Sequence, residues 1–122
     1  MIECLFVGIG GFIGSVCRYL IGLIPVSSSN GFPVKTLVIN VAGAFAIGII
    51  AAAATKNAAI DQRLILLLKT GICGGFTTFS TFALEVTDLI RAGSFITAAA
   101  YIALSIVLGT AAVFAAEALM NL

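Results

Sequence analysis

A run of glycine, threonine, serine and phenylalanine residues is the part of this chain best suited to chemistry. It spans residues 74–82 and reads Gly-Gly-Phe-Thr-Thr-Phe-Ser-Thr-Phe. Glycine weakens a helix, and hydroxyl groups can bond backbone carbonyls or line a polar route. Because irregular backbone at membrane depth is tolerated only where protein or water covers it, the run predicts either a contact between helices or a permeation path.

Phe79 and Phe82 are spaced for one face of a helix, and Glu85 follows by the same step of three. The edge of an aromatic ring is electropositive. If these two rings turn their edges toward a pathway, they would make weak contacts that favour anions. Hydroxyl groups of Ser80 and Thr81 would add hydrogen-bond donors. A small anion would lose water gradually along such a lining and still leave it. The alternative is ordinary core packing, the more common role of a phenylalanine stripe.

Asn40 and Glu85 are polar residues inside apolar segments. An unpaired amide in lipid costs free energy, so Asn40 either bonds a neighbouring helix or offers an N–H donor to a pore. The sequence leaves both roles open. Glu85 is a candidate functional carboxylate, and its alternatives are an ion pair with Arg18 or Lys69, or a place near the interface. Arg18 is interpreted as a cation that snorkels from the end of its segment.

The composition requires an apolar environment around these residues. Of the 122 residues, 61% are hydrophobic and 9% are charged, whereas soluble domains carry about 25% charged residues. The sequence therefore predicts an integral membrane protein. A net charge of +1 without a basic block argues against nucleic acid as a partner. No histidine is present, and Cys4, Cys17 and Cys73 have no metal-ligand spacing, so we interpret the cysteines as small buried apolar residues.

Four apolar segments are long enough to cross a bilayer, which predicts one all-α domain of four transmembrane helices. They cover approximately residues 2–24, 34–55, 64–90 and 94–119, and the polar Ser27-Ser28-Ser29-Asn30-Gly31 loop follows the first. The third segment would be near 40 Å long as a helix, so it is predicted to tilt or break, most plainly at Gly74-Gly75. The pairs Gly10/Gly14 and Gly71/Gly75 predict close helix packing.

The basic residues are balanced between the two predicted membrane faces. Three lie toward each face: Lys56, Arg63 and Lys69 against Arg18, Lys35 and Arg91. The distribution gives almost no orientation preference under the positive-inside rule. We therefore predict an antiparallel, dual-topology homodimer, since four short helices also leave little room for a sealed polar path. The alternatives are a monomer or a parallel dimer oriented by subtler cues.

These motifs together resemble the Fluc (CrcB) family of fluoride channels. Residues 74–82, closing with Glu85, resemble the third-helix signature of that family and are the specific part of the match. Gly-Gly-Phe-Ile-Gly at 10–14 with Arg18-Tyr19 resembles the first helix, and Thr-Leu-Val-Ile-Asn-Val-Ala-Gly at 36–43 resembles the second. Tyr101 and Ser105 fall where the fourth helix carries polar groups. The resemblance extends over essentially the whole chain.

The resemblance implies a pathway and the residues that line it. Phe79 and Phe82 would form an aromatic box whose ring edges contact fluoride, and Asn40 would be the pore-facing donor. The polar track would include Ser80 and Thr81, with two further polar residues nearby, Tyr101 and Ser105. An antiparallel homodimer would hold two such pathways.

The resemblance also implies a cofactor, an activity and a location. A structural Na⁺ would lie at the dimer centre on backbone carbonyls of Gly74 and Thr77, with no organic cofactor. The activity would be passive, highly selective export of cytoplasmic fluoride through the plasma membrane of a prokaryote, without enzymatic chemistry. Whether the partner is this chain or an inverted paralogue stays open, although the balanced charges favour the homodimer.

Two other classes of protein compete with this interpretation. A small multidrug-resistance-type proton antiporter is also a four-span, dual-topology dimer, but it needs a membrane carboxylate, normally in the first helix. Here that segment has only Glu3 at its end, and Glu85 would be the only candidate. A non-conducting assembly subunit would instead tolerate any apolar residue at Phe79 and Phe82.

Overall fold

The computed structural model describes residues 1–26, 28 and 30–122, and these residues form helices joined by short turns. Ser27 and Ser29 of the predicted polar loop lie outside the described residues. The elements in chain order are α1 (Ile2–Gly22), α2 (Val34–Lys56), α3 (Gln62–Ile65), a π-helix (Leu66–Cys73), α4 (Gly74–Phe76), α5 (Phe79–Arg91) and α6 (Phe95–Met120). In the described part, α1, α2, the third segment Gln62–Arg91 and α6 are long and apolar enough to cross a membrane, as predicted.

Short polar and glycine signals end and begin these helices. The Asp61 carboxylate accepts a hydrogen bond from the Arg63 N–H (2.9 Å) and caps α3. After α5, Gly93 adopts φ = +79°, a conformation that suits glycine, and the Ser94 N–H donates to the Leu89 carbonyl (2.8 Å). The chain therefore reverses within three residues and enters α6.

Helix α1 lies parallel to the third segment, and the predicted glycine pairs form the contact. A Cβ atom added at Gly71 would lie 2.7 Å from the Gly10 Cα atom, and one added at Gly75 would lie 2.6 Å from the Gly11 carbonyl oxygen. Both distances are too short for any side chain other than hydrogen. Close packing of two backbones is what small residues allow in lipid, where apolar burial supplies no driving force between helices.

Helices α2 and α6 form a second parallel pair. A Cβ atom added at Gly48 would lie 2.8 Å from the Ala116 Cβ atom, and Ala116 is fully buried. At the end of the pair, the Lys56 ammonium donates to the Met120 carbonyl, a favourable position for a cation because helix C-termini carry partial negative charge. Helix α2 also runs antiparallel to α5, and this contact builds the site described below.

The extended backbone in the third segment lies at Thr77 and Thr78, not at the glycines. Thr77 has φ/ψ of −80°/155° and Thr78 has −148°/116°, whereas Gly74 is helical at −64°/−37°. The predicted position at Gly74-Gly75 is therefore displaced by three residues. Gly75 serves instead for the close approach to α1, and the bonds that Thr78 makes replace those of a continuous helix.

The exterior of the chain is apolar, as a membrane protein requires. Large side chains such as Phe12 and Ile96 are 71% and 87% exposed. Cys73 is buried, but Cys4 and Cys17 are exposed, so the prediction that all three cysteines are buried was wrong for two of them. Helix α1 buries only its glycine face, and the two exposed cysteines lie on its other faces.

Candidate functional site

A groove on the side of the chain collects several of the predicted site residues. It encloses about 300 Å³ and is lined by Asn40, Thr77, Thr78, Phe79, Phe82, Ser105 and Ile106. Helix α2 supplies the amide, the α4–α5 junction supplies the threonines, α5 supplies both aromatic rings and α6 supplies the serine. The structure thus brings four separate elements together around a mixed polar and aromatic surface.

Asn40 clamps the extended backbone of the third segment. Its Nδ2 donates to the Thr78 carbonyl oxygen (3.1 Å), and its Oδ1 accepts from the Thr78 N–H (2.8 Å). These two bonds satisfy a peptide that has left the helix. An amide nitrogen carries two N–H donors, and Thr78 uses one of them. Asn40 is therefore a bond between helices, and it also has a second donor at the edge of the groove.

Thr78 connects the hydroxyl groups of the run. Its Oγ1 accepts from the Thr81 N–H (3.2 Å), which caps α5, and donates to Thr81 Oγ1 (3.1 Å). The Ser80 hydroxyl lies 3.4 Å from the same oxygen and is exposed. Ser80 and Thr81, two of the predicted track residues, therefore meet at Thr78 and outside the described groove lining.

Four aromatic rings form a row from the groove toward the α1–α2 loop. The ring centroids of Phe79 and Phe82 are 5.8 Å apart, those of Phe82 and Tyr101 are 5.0 Å apart, and those of Tyr101 and Phe32 are 5.5 Å apart. Tyr101 is completely buried, whereas Phe79 is 79% exposed. We call these four residues the aromatic row. The row is most deeply buried at Tyr101, half-buried at Phe32 and open to the outside at Phe79.

Glu85 lies beside the buried part of the aromatic row. Its carboxylate accepts from the Tyr101 hydroxyl (2.9 Å) and from the Thr36 hydroxyl (3.0 Å), which ties α5 to α6 and α2. The ion pair with Arg18 or Lys69, one of the alternatives raised for Glu85, does not occur; the pair formed within the described residues joins the N-terminal amine to Glu3. Neutral hydroxyl donors satisfy the Glu85 carboxylate instead.

Arg18 bonds the third segment rather than extending freely toward the interface. Its Nε donates to the Gly75 carbonyl oxygen (3.2 Å), so the snorkelling interpretation gives way to a contact between helices. Arg18 also lines a second groove of about 300 Å³ with Lys35, Thr36 and Thr81 among its neighbours. Lys35 in turn donates to the Gly22 carbonyl at the end of α1 (2.9 Å).

The carbonyl oxygens of Gly74 and Thr77 do not accept the hydrogen bonds that a continuous helix would supply from the N–H groups of Thr78 and Thr81. The Thr78 N–H, which would bond the Gly74 carbonyl in a continuous helix, donates to Asn40 instead. The Thr81 N–H, the corresponding donor for the Thr77 carbonyl, donates to the Thr78 hydroxyl. Oxygen ligands of this kind suit a hard cation. Among the described residues, no cluster of three acidic, histidine or cysteine side chains forms a metal site.

Two polar residues of the site were not predicted from the sequence, and one predicted residue has a distinctive environment. Thr78 could have been found as a hydroxyl residue three positions before Thr81, the spacing of a helix cap. Thr36 could have been found because it precedes Asn40 by four residues and so shares its face of α2. Ser105 Oγ, which was predicted, is buried at the groove without a hydrogen-bond partner among the described residues.

The chain matches known proteins over nearly its whole length. Residues 5–117 match the family model described as CrcB-like protein, Camphor Resistance (CrcB). A protein of Chlorobaculum tepidum is 43% identical over all of this chain and 97% of its own length, and one of Rhizobium etli is 45% identical over 99% of this chain and 98% of its own. Each of these relatives is named a fluoride-specific ion channel, FluC. The resemblance found in the motifs is thereby confirmed, and this chain belongs to the CrcB family.

Proposed function

We propose that this chain is a passive, highly selective fluoride channel. The relatives named as fluoride-specific channels support the ion, and family membership makes the protein an ion channel rather than an enzyme. The observation that carries the proposal is the position of the Asn40 amide beside the rings of Phe79 and Phe82 in one groove. An N–H donor beside two aromatic rings that turn their edges toward the ion would be a lining that an anion prefers and a cation does not.

Fluoride would move along this groove by exchanging water for weak protein contacts. The second N–H of Asn40 is available after the bond to Thr78, and the unpartnered Ser105 hydroxyl offers another donor nearby. Ser80 and Thr81 would extend the polar track beyond the groove, and Tyr101 would lie behind the Phe82 ring. Within the described part of the chain, no lysine or arginine lines this groove, so no contact there would hold the ion too tightly for conduction.

The pathway would be completed by a second copy of the chain in the opposite orientation. Phe79 is 79% exposed and the groove is open along the exterior, so one chain alone would leave the ion against lipid. The balanced basic residues allow insertion in both orientations. An antiparallel, dual-topology homodimer would cover both grooves and so contain two pathways.

A structural Na⁺ would lie at the centre of this dimer. The backbone oxygens of Gly74 and Thr77 fit such an ion because their helical donors are engaged elsewhere. The ion would supply positive charge and hold the two irregular segments together, while the residues of each chain hold the carbonyls in place through Asn40 and Thr78.

The channel would protect a prokaryotic cell from fluoride in its plasma membrane. An anion leaves a negative-inside cell with about 2.3 kcal/mol of driving force per 100 mV. Passive conduction is therefore sufficient for export. The proton-antiporter alternative loses support because the relatives are named as channels, and because the only candidate carboxylate, Glu85, is held by two hydroxyl groups.

Efflux from liposomes tests the proposal. Purified protein is reconstituted with internal potassium fluoride or potassium chloride, and valinomycin starts release, which ion-selective electrodes record. We expect rapid fluoride release with no chloride release. Vesicles that contain folded protein and release neither ion would contradict the proposal. Equal release of both ions would contradict its selectivity.

A further inference from the structure

The ring at the end of the aromatic row opposite Phe79 comes from the loop before α2. Phe32 is half-buried and presents its ring to Tyr101 at 5.5 Å between centroids and 72° between planes, an edge-to-face geometry. Its backbone is held on both sides. The Phe32 N–H donates to Asn30 Oδ1 (3.2 Å), and the Phe32 carbonyl accepts from the Ser28 hydroxyl (2.8 Å). The loop therefore anchors this ring rather than leaving it free.

Tyr101 connects Phe32 to the groove. It is completely buried, and its ring lies between Phe32 and Phe82, whose centroid is 5.0 Å away. Its hydroxyl donates to Glu85 (2.9 Å). The hydroxyl bond fixes one end of the tyrosine, and contact with the Phe32 ring limits sideways movement of the Tyr101 ring. Phe82 packs against the Tyr101 ring and also lines the groove.

We propose that Phe32 is a positioning residue for the fluoride pathway, acting through Tyr101 on the ring of Phe82. Phe32 does not line the groove, so it would not touch the ion. Its effect is to keep the Phe82 ring edge in one place, because a packed side chain cannot turn without displacing its neighbours. This inference rests on the proposed fluoride channel. It adds a specificity device outside the transmembrane segments.

The chain offers a direct optical probe of this contact. It contains two tyrosines, Tyr19 and Tyr101, and no tryptophan, so a Tyr19→Phe background leaves Tyr101 as the only source of tyrosine near-UV circular dichroism. Tyr19 is 65% exposed. In this background Phe32 is changed to alanine, leucine and tyrosine. Phe12→Ala, at a phenylalanine that is 71% exposed, is the matched control.

We expect the tyrosine dichroism and the fluoride release to change together. Phe32→Ala should weaken the tyrosine dichroism and slow fluoride release in liposomes by about two- to tenfold, the range that corresponds to loss of one aromatic pair. It should also raise the ratio of chloride to fluoride release. Phe32→Tyr should restore fluoride release, which is the only readout used for this variant because the new tyrosine adds its own dichroism. Phe32→Leu should restore neither signal, because leucine fills space without an aromatic ring. Phe12→Ala should resemble the background.

Three outcomes would overturn the inference. One is unchanged dichroism and flux in Phe32→Ala, and another is full activity in Phe32→Leu, which also decides the matter if the alanine variant fails to fold. The third is the absence of fluoride release from the background protein itself. In that case the proposed function is wrong and the positioning role falls with it, whereas the first two leave a conducting channel in which Phe32 is ordinary packing.

Discussion

The clamp between Asn40 and Thr78 gives the sharpest test of how the site is held together. Asn40→Ala removes two hydrogen bonds of 3.1 and 2.8 Å between α2 and the extended backbone of the third segment. At the average value in membranes the two bonds are worth about 1.2 kcal/mol. Leaving the Thr78 N–H unpaired adds about 1–3 kcal/mol. We therefore expect the free energy of unfolding to fall by about 2–4 kcal/mol.

Unfolding in mixed micelles, with dodecyl sulfate as denaturant and circular dichroism as the signal, measures this loss. The matched control is Asn57→Ala, which removes one bond, from the Ala59 N–H to Asn57 Oδ1 (3.0 Å), in an exposed loop. The control should lose less than about 1 kcal/mol, because water replaces the bond. If Asn40→Ala is no less stable than the control, the clamp does not hold the irregular segment and the reasoning is refuted.

Asn40→Asp tests the proposed donor in a side chain of the same size. Aspartate keeps an oxygen to accept from the Thr78 N–H but has no N–H to offer. Its second oxygen would oppose the Thr78 carbonyl oxygen, so it should be no more stable than Asn40→Ala, and it should lose fluoride release in liposomes. A conducting Asn40→Asp channel would show that the second N–H of Asn40 takes no part in the pathway.

Three further predictions concern the groove, the helix contact and the buried carboxylate. Phe79→Ile should slow fluoride efflux by up to about tenfold, because it removes the ring pair with Phe82. The control Phe114→Ile, at a ring that is 67% exposed, should not slow efflux. Equal efflux rates in the two variants would show that Phe79 is not part of the pathway. Gly71→Ala should lower the free energy of unfolding by about 1–3 kcal/mol, because the new methyl group would overlap the backbone of α1. Gly8→Ala, with open space around it, should lower it little. Equal stability of the two variants would contradict the contact between α1 and the third segment. Glu85→Gln keeps one oxygen that can accept a hydrogen bond. Channels with this change should still release fluoride at about pH 6 and at about pH 8. Complete loss of transport would favour proton coupling.

The sequence predicts the number of spans and the helix contact well, because each depends on local properties. Apolar length alone distinguishes a membrane helix, and four such segments are present. The glycine pairs also identify the α1 contact, since a Cβ atom is excluded wherever two backbones approach this closely. Gly10 and Gly71 were therefore readable from their spacing before any partner was known.

The location of the irregular backbone could not be predicted, because a distant residue determines it. Glycines are the local signal for a break, but Thr78 is held extended by Asn40, 38 positions earlier in the chain. The same reason explains Arg18, whose partner Gly75 is 57 positions away. The environment of Cys4 and Cys17 also depended on which face of α1 finds a neighbour, and this is a tertiary property.

The sequence predicts the types of residue in the candidate site more fully than the contacts between those residues. Asn40 was assigned as either a helix contact or a donor, and the structure gives it the first role while leaving a donor for the second. Thr78 was missed as the centre of the hydroxyl contacts, because three other residues of the run, Thr77, Ser80 and Thr81, also carry hydroxyl groups. Phe32 gave no signal, since a phenylalanine in a loop before proline is consistent with many structures.

The π-helix at Leu66–Cys73 makes chain length itself a determinant of the site. In this segment the Gly74 N–H donates to the Lys69 carbonyl, five residues back rather than four. If one residue were removed and the winding stayed the same, everything after it would rotate by about 100° around the axis. Thr78 would then turn away from Asn40, although every residue with a polar or aromatic role would still be present. Insertions and deletions should therefore be tolerated in the turns of this protein and eliminated from these eight residues.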